Sequence, residues 1–265
     1  MTMARPDCEA KRMLSLSPDY YKGDRSMRES GYDVSFRFGP FSAATHHYAP
    51  VCLNSLLYRT EIDLARFATE LGKKDEAEQW TRAAEARKKA INQFLWSSER
   101  GLFVDYDFWT GTQSSYLYAT MFFPLWAGVA TPEQAQSTMQ SLGSFEHPGG
   151  IVMSTYNSGA QWDFPYGWAP LQLVADEGMR RYDFNADADR VSTEFLKTVM
   201  ENFAREGTIH EKYNVITRSS ETNIEAGYNI NVVGFGWTNG VFLELLHQLP
   251  EQKEKALGAS AASAK

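Results

Sequence analysis

The chain has 265 residues, with 26 basic against 33 acidic side chains and a formal net charge of -7. No basic cluster could neutralise a run of phosphates, so the composition argues against a nucleic-acid partner. No apolar run reaches the roughly 20 residues of a membrane span and no signal peptide is visible, so we expect a soluble protein without a membrane partner, in the cytoplasm or, if an upstream segment is missing, in the periplasm.

Helical periodicity runs through most of the chain, with apolar residues recurring near the 3.6-residue period. Two short stretches instead indicate extended structure, residues 101–106 and 151–153. Thr131 and Gln134 have the spacing of a capping box, which predicts that a helix begins between them. We predict helices over residues 54–71, 75–96, 115–126, 132–142, 171–181, 188–205 and 237–249.

Successive helix pairs with very little strand predict an all-α fold of stacked helical hairpins. Such hairpins build either an open α-solenoid or a closed toroid. No strict repeat of about 33 to 47 residues is visible, which weakens the solenoid alternative.

The densest motif is QWDFPYGWAP at residues 161–170, which combines four aromatics, two prolines, a glycine and a carboxylate. The prolines and the glycine disfavour a regular strand or helix, so we predict a shaped loop that delivers aromatic faces to a binding surface. The aromatic content of the chain, 14%, also fits a protein that places flat apolar faces against ligands. A proline-rich turn whose tryptophans are only core remains the alternative on these residues alone.

Three further loops set a polar residue among aromatics and glycines: residues 28–38, 209–215 and 234–240. Glycine lets the backbone approach a ligand, and aromatic walls strengthen the interactions of a neighbouring carboxylate. Glycoside hydrolysis requires a pair of carboxyl groups, one protonated and one ionised. Asp33 and Glu211 are candidates for that pair, although spacing alone does not select them.

Four segments resemble the signatures of trehalases, the inverting glycoside hydrolases that split α,α-trehalose into two glucoses. QWDFPYGWAP resembles the family's QWDxPxGWxP, and GFGWTNG at residues 234–240 matches another signature. ESGYD, which ends at Asp33, resembles ESGWD, whose Asp is the general acid, with Tyr32 in place of tryptophan. HEKYN, which contains Glu211, resembles VEKYD, whose Glu is the general base, with Asn214 in place of Asp. The resemblance thus implies acid catalysis by Asp33 and base catalysis by Glu211.

The resemblance also implies a set of sugar-binding residues. Arg5 and Asp7 stand in a tripeptide similar to the family's RPE, and Glu225 is the nearest counterpart of a substrate-contacting Glu that precedes GFGW. The set implied in this way is Arg5, Asp7, Gly31, Gln161, Trp162, Asp163, Glu225 and Trp237. Behind these residues we expect Trp168 to lie in the core.

Trehalase catalytic domains are (α/α)6 toroids of six helical hairpins, about twice as long as this chain, and their first signature, PGGRFxExYxWDxY, has no counterpart here. The resemblance therefore implies the C-terminal half of such a domain, an incomplete toroid over residues 1–250. Residues 251–265, charged and then rich in Ala and Ser, are expected to be a disordered tail. The implied ligand is trehalose or a related α-glucoside, with no cofactor and no metal. His46 and His47 lack a carboxylate or cysteine at ligand spacing, so we expect solvated or hydrogen-bonded histidines.

Two other functions stay open. The chain could be a catalytically silent half-domain whose exposed helix faces self-associate, or it could act on another α-glucoside. For Asp33 the structural alternative is a cap or turn residue paired with Arg37, whose charge would lower the carboxyl pKa. For Glu211 it is an ordinary surface pair with Lys212.

Overall fold

The computed structural model describes residues 16–263, with the side chains of the last helix described as far as residue 258. Helices make up most of this part of the chain, which confirms the predicted all-α class. The helices are α1 (Pro18–Glu29), α2 (Val51–Glu70), α3 (Lys74–Ala90), α4 (Phe123–Ala127), α5 (Pro132–Met139), α6 (Ala169–Arg181), α7 (Asn185–Glu206), α8 (Gly236–Gln248) and α9 (Glu251–Ser263).

The strands are two or three residues long and form small antiparallel sheets in the loops between helices. They are β1 (Tyr48–Ala49), β2 (Trp96–Ser97), β3 (Leu102–Phe103), β4 (Tyr106–Asp107), β5 (Thr112–Gln113), β6 (Glu146–His147), β7 (Gly150–Ile151), β8 (Tyr166–Trp168) and β9 (Lys212–Asn214). The sheet orders are β1-β4-β5, β2-β3, β6-β7 and β8-β9. The last of these pairs brings two of the sequence motifs together.

Alternate helices pack in a row, since α2 packs against α4, α4 against α6, and α6 against α8. The intervening helices flank this row: α3 packs against α2, α7 against α6 and α8, and α9 against α7. The α2–α3 hairpin is fastened by a salt bridge of 2.7 Å from Arg87 to Glu61. This alternation between two layers agrees with the predicted stack of helical hairpins.

The capping box predicted from Thr131 and Gln134 is confirmed at the start of α5. The Thr131 hydroxyl accepts a hydrogen bond from the Gln134 amide at 3.2 Å, and the Gln134 side-chain oxygen accepts one from the Thr131 amide at 2.9 Å. Two of the amides that a helix start leaves without partners are thereby satisfied.

The helix predicted over residues 115–126 begins later than the pattern indicated. A 3-10 turn over Ala119–Phe122 leads into the short α4, while Tyr118 forms an isolated antiparallel bridge with Ser154. The Tyr118 hydroxyl also donates a hydrogen bond of 2.5 Å to the Trp162 carbonyl. These tertiary bonds hold the start of the segment extended in spite of its helical pattern.

The tail predicted to be disordered instead continues as α9, over Glu251–Ser263. Leu257 is 2% exposed and belongs to a hydrophobic cluster with residues of α7 and α8. Lys253 forms an ion pair with Asp189 of α7 at 2.9 Å. These contacts with α7 and α8 order the segment, and its composition did not indicate them.

Candidate active site

Strands β8 and β9 place the QWDFPYGWAP motif beside the segment that follows Glu211. Their register pairs Tyr166 with Asn214 and Trp168 with Lys212. Gly167 is needed between them, because a β-carbon there would lie 2.5 Å from the Val215 side chain and 2.7 Å from the carbonyl oxygen of Ile151. The long-range sheet, rather than either motif alone, creates this junction.

Three tryptophans meet at the junction. Trp162 and Trp168 are stacked, with ring centroids 3.7 Å apart and planes 6° apart. Trp237, the second residue of α8, meets both rings edge-on at 6.4 and 6.0 Å. Trp168 is 1% exposed, so its predicted core position is confirmed, whereas Trp237 is 37% exposed.

A cleft of about 620 Å³ opens beside these rings. Residues from several of the predicted site loops line it: Gly31, Tyr32, Trp162 and Trp237. Its apolar side consists largely of Leu53, Leu56, Phe123 and Leu171. The volume and the mixed lining are those of a small-molecule site.

Asp33 is partly exposed and follows the cleft residues Gly31 and Tyr32 directly. The structural alternative for Asp33, a pair with Arg37, is not what the structure shows. Arg37 is buried and forms a two-point salt bridge with Asp105, at 2.7 and 2.5 Å. Its guanidinium also lies 4.7 Å from the centre of the Tyr118 ring.

Glu211 is mostly buried, and its carboxylate lies 2.7 Å from the ammonium group of Lys212. Lys212 is fully buried and lies 5.0 Å from the centre of the Trp168 ring. The pair is therefore not the ordinary surface pair of the alternative interpretation. The Glu211 carbonyl accepts a hydrogen bond from the Thr238 hydroxyl at 3.3 Å, which connects it to the start of α8.

Gln161, Trp162 and Asp163 all bond to the chain segment that carries Asp33. The Gln161 side-chain amide donates to the Asp33 carbonyl, and the Trp162 amide donates to the Val34 carbonyl at 3.2 Å. The Asp163 carboxylate accepts from the Phe36 amide at 2.9 Å. Burial raises the pKa of Asp163, although the hydrogen bonds that it accepts oppose this effect.

Glu225 is exposed and lies elsewhere, in a separate cleft of about 700 Å³ that Tyr166 and Asn214 also line. Its amide donates to the Gly159 carbonyl at 2.9 Å, which docks its loop onto the start of the QWDFPYGWAP segment. The structure thus does not bring Glu225 to the cleft of Trp162 and Trp237. Arg5 and Asp7 lie outside the described residues.

His46 is hydrogen-bonded, which is one of the two states expected for these histidines. Its ring meets the Asp19 carboxylate at 3.0 Å, and the ring of His47 lies 3.5 Å from the same group. The hydrogen bond with His46 lowers the pKa of Asp19. Asp19 is 27 residues upstream of His46, so a search at ligand spacing could not find it.

Within residues 16–263, no helix is both long enough and apolar enough to cross a membrane.

Comparison with known proteins gives a match to the trehalase family model over residues 16–250. The chain is 34% identical to the cytosolic neutral trehalase of Emericella nidulans over 91% of this chain and 37% of that protein. It is 37% identical to the periplasmic trehalase of Salmonella choleraesuis over 89% of this chain and 42% of that protein. The chain thus spans about two fifths of the length of these relatives.

Among solved structures, the neutral trehalase of Saccharomyces cerevisiae matches with a TM-score of 0.78 and 33% identity, over 91% of this chain and 44% of that one. A GH63 mannosylglycerate hydrolase of Thermus thermophilus matches with a TM-score of 0.58 and 24% identity, over 75% of this chain and 45% of that one. The second match shows a shared fold only. Together these matches confirm the incomplete helical toroid.

Proposed function

Because the chain belongs to the trehalase family, we propose that it supplies the C-terminal half of a glycoside hydrolase site that cleaves α,α-trehalose into two glucoses with inversion. The observation that carries the proposal is the shared cleft, which Gly31, Trp162 and Trp237 line from three different motif loops. Asp33 follows the first of these residues closely, and Glu211 bonds to the start of α8 next to the third.

In this mechanism Asp33 gives its proton to the glycosidic oxygen as the bond from that oxygen to the anomeric carbon breaks. Glu211 removes a proton from a water molecule that attacks the same carbon from the opposite face. One glucose leaves with the proton of Asp33, and the other keeps the water oxygen. The ammonium group of Lys212 lies 2.7 Å from the Glu211 carboxylate and fixes its orientation.

The proposed sugar contacts fall into two groups: residues that line the cleft, and residues that only the motif resemblance indicates. Gly31, Trp162 and Trp237 line the cleft, where the aromatic faces would pack against the apolar faces of a sugar ring. Arg5, Asp7 and Glu225 are proposed as substrate ligands on motif resemblance alone. Neither a metal nor a cofactor is required, since proton transfer and water activation complete the reaction.

One observation favours a second candidate, a half-domain that is inactive when alone. The chain spans 37% of the Emericella nidulans relative, and α2 exposes Leu53, Leu56, Leu57 and Phe67. An apolar helix face of this kind is a surface for association. We propose that the separate chain self-associates through this face, which shares Leu53 and Leu56 with the cleft.

The test is glucose release from trehalose by the purified chain, by Asp33→Asn and by Glu211→Gln. General acid and base groups each contribute about 10²- to 10⁴-fold, so each substitution should lower kcat by that factor. Early NMR spectra of the products should show α- and β-glucose in equal amounts, as inversion requires. Glu78→Gln, on the exposed face of α3, is the matched control.

Equal background rates in all four proteins would overturn the enzymatic proposal and favour the inactive half-domain. A panel of other α-glucosides, each assayed with the same variants, tests whether the chain acts on an α-glucoside other than trehalose. A substrate cleaved faster than trehalose, with the same dependence on Asp33 and Glu211, would change the substrate but keep the mechanism.

A further inference from the structure

Gln161, Trp162 and Asp163 each form a hydrogen bond with a main-chain atom of residues 33–36. The Asp33 carbonyl accepts from the Gln161 side chain, and the Val34 carbonyl accepts from the Trp162 amide. The Phe36 amide donates to the Asp163 carboxylate. Bonds to main-chain atoms fix the path of a segment whatever its side chains are. The position of the main chain in turn determines where an attached side chain can lie.

We propose that Gln161, Trp162 and Asp163 form a clamp that fixes the main chain of residues 33–36 and thereby sets where the Asp33 carboxyl group lies. Asp163 is then a positioning residue and not a ligand of the sugar. The catalytic part of this inference rests on the proposed role of Asp33 as general acid, whereas the clamp itself does not.

The burial of Asp163 supports the clamp over a sugar contact. Its side chain is 0% exposed and is absent from the lining of the cleft, to which the adjacent Trp162 does contribute. One carboxylate oxygen accepts hydrogen bonds from both the Phe36 amide and the Ser158 hydroxyl, at 2.9 and 2.6 Å. Both donors bond to Oδ2, while Oδ1 is buried with no hydrogen-bond partner among the described residues. A buried carboxylate is costly without donors, so the Phe36 and Ser158 bonds are structural requirements.

Gln161 extends the clamp to a second loop. Its side-chain oxygen accepts a hydrogen bond of 3.3 Å from the Tyr228 amide, while its side-chain nitrogen donates to Asp33. Gly227 makes this approach feasible, because its φ is 129° and a β-carbon there would lie 2.9 Å from the Gln161 side chain. One side chain thus joins the segment of Asp33 to the loop that contains Glu225.

The first measurement is hydrogen–deuterium exchange of the purified chain and of Asp163→Asn. Loss of the charged acceptor should speed exchange in peptides that cover residues 31–38 by about tenfold, which is the effect of one lost hydrogen bond. Peptides from α3 serve as the internal control and should not change. Unchanged exchange at residues 31–38 would overturn the clamp, whatever the activity of the chain.

If Asp163→Asn fails to fold, Gln161→Met provides the same test, since it removes only the side-chain bonds to Asp33 and Tyr228 and keeps a similar volume. Exchange in residues 31–38 should again increase. The same rate as in the unmodified chain would overturn the role of Gln161 in the clamp.

The second measurement separates positioning from sugar binding by kinetics on trehalose. Displacing a catalytic group by about 1 Å can cost about 100-fold, so Asp163→Asn should lower kcat by about tenfold to 100-fold and leave KM within about twofold. The alkaline limb of the pH profile should also shift, because that limb reports the general acid. A raised KM with unchanged kcat would instead identify Asp163 as a sugar ligand and overturn the proposal.

The two measurements fail independently. If the unmodified chain does not hydrolyse trehalose but the exchange result holds, the clamp stands and the proposed function of the chain fails. If hydrolysis is observed but Asp163→Asn changes neither exchange nor kcat, the clamp fails and the proposed function stands.

Discussion

Arg37 and Asp105 form a fully buried ion pair next to the segment that carries Asp33. The Asp105 carboxylate also accepts a hydrogen bond of 2.8 Å from the Val51 amide, and so binds the first residue of α2. Removing one member of a buried pair leaves an uncompensated charge, and Asp105→Ala should therefore lower the free energy of unfolding by about 3–5 kcal/mol. Chemical denaturation measures this loss.

The matched control is Asp63→Ala, which removes a more exposed carboxylate paired with Arg59 on α2. Pairs of this kind contribute about 0–1 kcal/mol. A loss for Asp105→Ala no larger than that of the control would contradict the assigned importance of the buried pair.

At this scale the sequence predicted the burial of single residues better than their long-range partners. The core position of Trp168 followed from the motif, whereas the sequence offered Arg37 only the nearby Asp33 as a partner, in the structural alternative to catalysis. Its actual partner, Asp105, is 68 residues away, and no local pattern marks that contact. The bonds of Asp163 to Phe36 were missed for the same reason, since 127 residues separate the two.

Glu194 gives α7 a pH-dependent contribution to stability. Burial, with the charge of Glu146 in addition, raises the pKa of Glu194 to about 7, while Arg190, Lys197 and Arg218 act in the opposite direction. The folded protein holds this proton more tightly than the unfolded chain, whose glutamate has a pKa near 4.5. The resulting stability is fully present below about pH 4.5 and is lost as the pH rises through about 7.

Glu194→Gln should therefore raise the free energy of unfolding at pH 8 and leave it nearly unchanged at pH 4.5. The side chain is partly exposed, and solvent screening reduces the expected gain to about 1 kcal/mol. Denaturant titrations at the two pH values measure the difference, with the exposed Glu85→Gln on α3 as control. A gain of equal size at both pH values would contradict the titration of Glu194.

The longer helices were predicted to within a few residues, because their apolar period is sustained over several turns. The predicted helix over 54–71 is α2 at Val51–Glu70, and that over 171–181 is α6 at Ala169–Arg181. Prediction failed where tertiary bonds decide the local structure. Tyr118 is held extended by its bridge to Ser154, and Leu257 anchors α9 by burial.

At the scale of the whole molecule, helix pairing predicted stacked hairpins, but periodicity alone left an open solenoid as well as a closed ring. The motif resemblance selected the toroid, and the match to the yeast neutral trehalase confirms it. Closure of a ring depends on contacts between its first and last helices, and a local pattern carries no record of those contacts. The order of helices was thus readable from periodicity, whereas the toroidal arrangement was predicted only through the motif resemblance.

The exposed face of α2 predicts how the separate chain behaves in solution. Leu53, Leu56 and Leu57 follow the i, i+3, i+4 spacing of one helix face, and all three are between 38% and 50% exposed. Burial of such a patch is favourable, so the chain should form concentration-dependent oligomers in sedimentation velocity experiments. Leu57→Glu, at a position outside the cleft lining, should shift the population toward monomer, whereas the exposed Thr81→Glu on α3 should not. A chain that stays monomeric at all concentrations would contradict association through this face, because a charge at Leu57 would then have nothing to disrupt.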